Sequence, residues 1–128
     1  VSSGTFTFED GGRYIGEYRT EAGKRQRHGN GRFVLGVEEY DGQWEADLMH
    51  GVGMYTFSSG ASYEGAFHRG EFSGEGTYRW PDGAVYVGNW RNGRMHGQGS
   101  YRDGHGVLWS GEYTNGRYIS GKTFVDVR

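Results

Sequence analysis

The stretch Tyr63–Arg94, YEGAFHRGEFSGEGTYRWPDGAVYVGNWRNGR, holds one complete structural phrase and the start of the next. The phrase is an aromatic-x-Gly-x-aromatic run, a polar turn, a Gly-x-Gly-x-aromatic run, and a Pro/Asp/Gly turn. A step of 23 residues forward from Tyr63 lands on Tyr86 and then on Trp109; the same step backward lands on Tyr40. The unit before that begins at Tyr14, 26 residues ahead of Tyr40, and carries three extra residues. A fixed period in the range of about 20–50 residues is the mark of a repeat architecture.

The residues within each phrase alternate with period two, which is strand geometry. Tyr, Gly and the second aromatic of each first strand share one face, and Glu17, Gln43, Glu64 and Asn89 fall on the other. Turn signals between the runs pair consecutive strands as antiparallel hairpins. The chain therefore reads as one domain over residues 1–128: a partial unit at 1–12, units starting at Tyr14, Tyr40, Tyr63, Tyr86 and Trp109, and an atypical C-terminal cap at 117–128. The expected product is an all-β, elongated, single-layer antiparallel sheet of stacked hairpins, with about eleven strands and a length of roughly 50 Å. The opening VSSGTFTF starts in mid-repeat and lacks an initiating Met, so the chain reads as a fragment of a longer one.

Composition agrees. The chain is 34% apolar and 16% aromatic, with 26 Gly and one Pro among 128 residues. Glycine at that level without a triplet period excludes collagen, and the aromatic content is far above that of disordered segments. Rings in register with glycines suggest aromatic side chains packed over glycines in short strands. The absence of Cys removes disulfides, thiolate metal sites and thiol nucleophiles, and is compatible with the cytosol. No apolar run approaches the roughly 18 residues of a membrane helix. A net charge of −2 argues against nucleic acid as a partner.

These phrases resemble the MORN repeat (membrane occupation and recognition nexus), with its pattern YxGxW…GxxHGxGxxxxxDGxxY, over nearly the whole chain. The resemblance implies an elongated sheet with an aromatic groove along one face. It also implies a scaffold of cytoskeletal, ciliary or membrane-junction assemblies, or an accessory domain of a lipid kinase or SET-domain methyltransferase. The chain departs from the pattern at Ser73, where His is usual, at Ala66, where a polar residue is usual, in the shortened Gly31–Tyr40 link, and at Thr123 and Phe124.

Candidate chemistry is sparse. His28, His50 and His96 recur in His-Gly-x-Gly segments, but equivalent residues two strands apart lie roughly 9–10 Å from each other. Zinc ligands need about 2.0–2.1 Å to a shared ion, so a turn role is expected and no metal site. The Gly-x-Gly pairs lack the third Gly and following helix of a phosphate loop. The carboxylates Glu38, Glu39, Asp41, Glu45, Asp47, Glu64, Glu71 and Glu75 fall on outward or turn positions, not in the apolar cleft a glycosidase acid requires. No catalytic residue and no cofactor is expected.

Binding is the stronger theme. Tyr40, Trp44, Tyr55, Tyr63, Phe67, Tyr78, Tyr86, Trp90, Tyr101 and Trp109 form an aromatic stripe. A single-layer sheet has no second layer to cover such a stripe, and exposed aromatic surface marks an interaction site for a helix or extended segment. Residues 33–75 hold one basic and eight acidic side chains, so Glu38, Glu39, Asp41, Glu45 and Asp47 are candidates for steering a basic partner. Lys24, Arg25 and Arg27 are the candidate lipid contacts, a weak site at about 1 kcal/mol per basic residue. The strand at 121–127 is a candidate edge for a homodimer.

Overall fold

A computed structural model describes residues 2–120 and 123–126, with side chains described over 2–119. The strands are β1 (Ser2–Thr7), β2 (Arg13–Glu21), β3 (Lys24–Leu35), β4 (Glu38–Glu45), β5 (Leu48–Thr56), β6 (Ser62–His68), β7 (Glu71–Arg79), β8 (Val85–Arg91), β9 (Arg94–Arg102), β10 (Leu108–Thr114), β11 (Arg117–Ser120) and β12 (Thr123–Asp126). They form one antiparallel meander in chain order. The expected all-β stack of hairpins is what the chain builds. Its strands number twelve among the described residues, because the second half of unit five is two four-residue strands and not one long one. The Gly-x-Gly-x-aromatic run that sustains the other second strands is missing after Gly116. The expected cap and dimer edge lie partly outside the described residues, at 121, 122, 127 and 128.

Register explains the repeat. Gly4, Gly16, Gly31, Gly42, Gly53, Gly65, Gly76, Gly88, Gly99 and Gly111 pair in sequence across ten strands. Two residues along, Phe6, Tyr14, Phe33, Tyr40, Tyr55, Tyr63, Tyr78, Tyr86, Tyr101 and Trp109 pair in the same order. The tyrosine that opens a unit lies flat across the glycine of the facing strand. A Cβ on Gly76 would sit 2.2 Å from the Tyr63 hydroxyl oxygen, and one on Gly53 2.2 Å from that of Tyr40. No side chain fits there.

Just past the glycine row the hairpins of units one to four bulge. His50-Gly51-Val52 of β5 face Gln43 alone, and the same three-against-one arrangement recurs in the hairpins of units one, three and four. Gly51 takes φ 84° there, a left-handed conformation that favours glycine. The bulge leaves backbone groups without ladder partners, and side chains take their place. The hydroxyls of Tyr14, Tyr40, Tyr63 and Tyr86 donate to the carbonyls of Glu17, Gln43, Ala66 and Asn89 at 2.5–2.9 Å. The Glu17 and Gln43 carboxylate and amide oxygens accept the Asn30 and Val52 amides at 2.6 and 2.7 Å.

Successive units are clasped at their turns. The Asp47, Gly70, Gly93 and Gly116 amides donate to the carbonyls of Arg27, Met49, Phe72 and Met95 in the preceding unit, at 2.8–3.0 Å. The amides of Ala46, Arg69 and Asn115 donate to Nδ1 of His28, His50 and His96 at 3.2–3.4 Å. At the joint between units three and four Ser73 stands in place of the histidine. A hollow of about 220 Å³ opens there among His68, Arg69, Glu71, Ser73 and Asn92.

The core lies on one face only. Tyr14, Tyr40, Tyr63, Tyr86 and Tyr113 are fully buried. An edge-to-face chain links Tyr14, Trp44, Tyr40, Phe67, Tyr63, Trp90, Tyr86 and Tyr113 at centroid spacings of 5.1–5.4 Å. Each such pair contributes about 0.5–1.5 kcal/mol beyond area burial. Over this floor lie Arg27, Met49, Phe72 and Met95, with Phe72 stacked on Tyr63 at 3.8 Å.

Three outcomes are expected. Gly76→Ala destabilises the fold by about 3 kcal/mol or more in urea unfolding, because the added Cβ would overlap the Tyr63 ring, which its hydroxyl bond to Ala66 holds in place. Ser73→His raises stability by about 1 kcal/mol by supplying the missing acceptor for the Asn92 amide. Burial pushes the phenols of Tyr14, Tyr55 and Tyr86 up to about 12, and those of Tyr40, Tyr63, Tyr78 and Tyr113 upward as well. A raised folded-state pKa means the fold holds these protons more tightly than the unfolded chain. That stability is fully present below the unfolded value of 10 and is lost as pH climbs from 10 towards 12. Phenolate absorbance and loss of the circular dichroism signal should rise together in one cooperative alkaline transition.

Candidate functional site

The aromatic face is not uniformly open. Of the stripe residues, Tyr40, Trp44, Tyr63, Phe67, Tyr86, Trp90 and Tyr101 are buried, and Tyr55, Tyr78 and Trp109 are half-buried. Tyr63, Phe67, Tyr86 and Tyr101 are therefore floor and not contact surface. Glycines let the tyrosine rings sink onto the sheet, and the ring of the next unit closes over them. The indoles of Trp44 and Trp90 reach back similarly, donating from Nε1 to the carbonyls of Gly31 and Gly76 at 3.0 and 3.2 Å.

Among the described residues, openings lined by rings remain on this face, two of which stand out. The larger, about 490 Å³, lies over units three and four between Phe57, Phe72, Tyr78, Trp80, Trp90 and Met95, with Gly93, Arg94, Asn115 and Gly116 at its turn end. The smaller, about 220 Å³, lies over units one and two among Arg27, Phe33, Tyr40, Trp44, Asp47, Leu48, Met49, Tyr55 and Gly70. Phe57, Phe72, Trp80 and Met95 were not among the sequence candidates. Phe57 and Trp80 follow Tyr55 and Tyr78 by two residues, so alternation already put them on this face. Phe72 and Met95 open their strands next to a turn, where the pattern is weakest.

The opposite face also carries a trough, about 720 Å³, over Glu64, Glu75, Thr77, Val87, Asn89, Gln98, Ser100 and Ser110. It is the larger space, but apart from Val87 its walls are polar side chains and glycine backbone, with no aromatic ring. The ring-lined openings offer the desolvating surface that holds a ligand.

The expected steering carboxylates are largely engaged within the chain. Asp47 accepts from Arg27 Nε at 2.6 Å, Glu39 pairs with Arg32 at 2.5 Å, and Glu45 lies 3.0 Å from His50 Nε2. Glu38 accepts from the Tyr55 hydroxyl at 2.8 Å and the Ser58 amide at 3.2 Å. Those two bonds, the hydroxyl's first, hold its carboxyl below the usual carboxylate range. Asp41 is exposed beside Tyr40, on the face away from the rings.

The lipid candidates divide. Lys24 and Arg25 are exposed, although the Arg25 guanidinium lies 5.4 Å from the Tyr18 ring centre. Arg27 is not available to a membrane. Its side chain is 16% exposed, lies 4.4 Å from the Trp44 ring and about as near those of Phe8 and Phe33, and is bonded to Asp47. It plugs an aromatic box that Met49, Phe72 and Met95 plug in the later units. The histidines serve the inter-unit clasps through Nδ1, the turn role expected of them, and among the described residues no group of three His, Cys, Asp or Glu is placed to hold a metal.

No curated protein matches the chain. The family model of the MORN repeat matches residues 2–13, 40–62, 63–85 and 86–105. These segments cover more than half of the sequence, and each of the three long ones begins on a tyrosine that lies across the glycine row. By that match, and by the glycine and tyrosine ladder that underlies it, the chain belongs to the MORN-repeat family.

Proposed function

We propose that the chain is a non-enzymatic scaffold that docks a helical or extended segment of a partner protein in the cleft over units three and four. MORN repeats suggest a protein or membrane interaction module. The observation that carries the protein reading is the cleft of about 490 Å³ walled by Phe57, Phe72, Tyr78, Trp80, Trp90 and Met95. Its volume falls in the range of about 300–1,000 Å³ usual for ligand sites, and its walls are rigid rings that lose little entropy on contact. The floor tyrosines fix those walls, so the surface is preorganised. A cytoskeletal or ciliary assembly is the setting that the family resemblance implies. The membrane-tether reading is weaker, because Arg27 is already stacked and paired. An accessory role beside a larger enzyme would use the same cleft.

The test is a photo-crosslinking residue placed at Trp80 and, separately, at Val87 on the opposite face. The reading expects a defined partner segment crosslinked from position 80 only. It also expects Trp80→Ala to weaken that partner's binding about tenfold or more, as for an aromatic anchor. Crosslinks from position 87 alone, in protein that melts normally, would contradict it.

A further inference from the structure

We infer that the hollow at Ser73 is a binding site for a neutral imidazole. The histidine side chain of a partner segment enters it and supplies the acceptor that the chain lacks at the joint between units three and four. The inference stands apart from the ring-lined cleft and does not depend on it.

Three observations carry it. First, the hollow holds a donor without an acceptor. The turn residues Ala46, Arg69, Asn92 and Asn115 share one left-handed backbone conformation, with φ of 49–51°. The amides of Ala46, Arg69 and Asn115 each meet a histidine Nδ1, at 3.2, 3.3 and 3.4 Å. Asn92 presents its amide in the same way, but Ser73 stands midway between His50 and His96, where the third histidine would be. Among the described residues no side chain accepts from that amide. Second, the space is held open at the width of a histidine joint. The Gly93 amide donates to the Phe72 carbonyl at 3.0 Å, the same clasp that spans the histidine joints at 2.8–2.9 Å. The joint has therefore not closed over the shorter serine, and about 220 Å³ remains among His68, Arg69, Glu71, Ser73 and Asn92. Third, the walls suit a neutral ring with an N–H on its far side. Arg69 and Glu71 carry opposite charges, so the hollow favours neither an anion nor a cation. At the joint before it, His50 directs Nε2 at the Glu45 carboxylate, 3.0 Å away. In the hollow Glu71, directly across from His68, is the carboxylate that takes the ring's N–H. Neutral imidazole has one donor and one acceptor nitrogen, and the imidazolium has no acceptor.

The test is titration of the whole chain at about pH 8, where imidazole is mostly neutral, read at the Asn92 amide by proton–nitrogen NMR. The probes are imidazole, a tripeptide with histidine between two alanines, pyrrole and acetate. Imidazole and the tripeptide should shift the Asn92 resonance saturably, with dissociation constants of about 1–10 mM. Pyrrole has the same ring size and no acceptor nitrogen, so it should bind about tenfold more weakly or not at all. Ser73→His fills the hollow from within and should lose the imidazole response while melting higher than the wild type. Equal responses to pyrrole, or an unchanged response in Ser73→His, would overturn the inference. Acetate binding as tightly as imidazole would overturn it as well, and make the hollow an anion site. Binding of imidazole without the tripeptide would overturn the partner side chain as occupant and leave a site for a small free ligand.

Discussion

The contact between a tyrosine ring and the glycine beneath it sets the rest of this molecule. At Gly31, Gly53, Gly76 and Gly99 a Cβ would lie 2.0–2.2 Å from a tyrosine hydroxyl oxygen. Removing every side chain from one row of the sheet costs conformational entropy, about 0.5–1 kcal/mol for each glycine relative to alanine. The return is burial. Rings laid flat on bare backbone bury completely on a sheet with no opposing layer, and their hydroxyls satisfy the carbonyls that the bulges leave without ladder partners.

From that constraint the division of labour follows. The unit-opening tyrosines are spent on the floor, and their polar ends are bonded inside. The second layer consists of Arg27, Met49, Phe72 and Met95 with the half-buried rings Phe57, Tyr78 and Trp80. Any partner meets this second layer first. The turn clasps hold one unit's plug against the next unit's ring, so the docking walls inherit the rigidity of the backbone. The joint between units three and four lacks its histidine at Ser73, and the larger cleft lies across that same joint.

Much of this was legible in the residues, and the limits have physical reasons. Period-two alternation and a 23-residue step define the strands, their order and the shared face of Tyr40, Gly42 and Trp44. The bulge was not visible, because His50-Gly51-Val52 reads as ordinary alternation until the register shows three residues facing Gln43. Without the bulge the roles of His28, His50 and His96 reduce to turn residues, when their Nδ1 atoms join units. Tyr63 and Tyr86 read as contact surface in sequence and are fully buried in the fold, since alternation tells which face a ring is on and not how deep it lies. Local charge counts leave out pairing across strands. Asp47 and Glu39 look like free anions in sequence, yet their partners Arg27 and Arg32 stand on the preceding strand or unit, 20 and seven residues away.

The most direct measurement is fluorine NMR of the chain labelled with 3-fluorotyrosine, reading each resonance's shift between H2O and D2O. Ring burial on the glycine row predicts that Tyr14, Tyr40, Tyr63, Tyr86 and Tyr113 show no solvent isotope shift, while Tyr18 and Tyr78 do. Solvent shifts at Tyr40, Tyr63 and Tyr86 as large as those at Tyr78 would mean that the rings do not lie sealed on the glycines, and the account of both floor and cleft would fail.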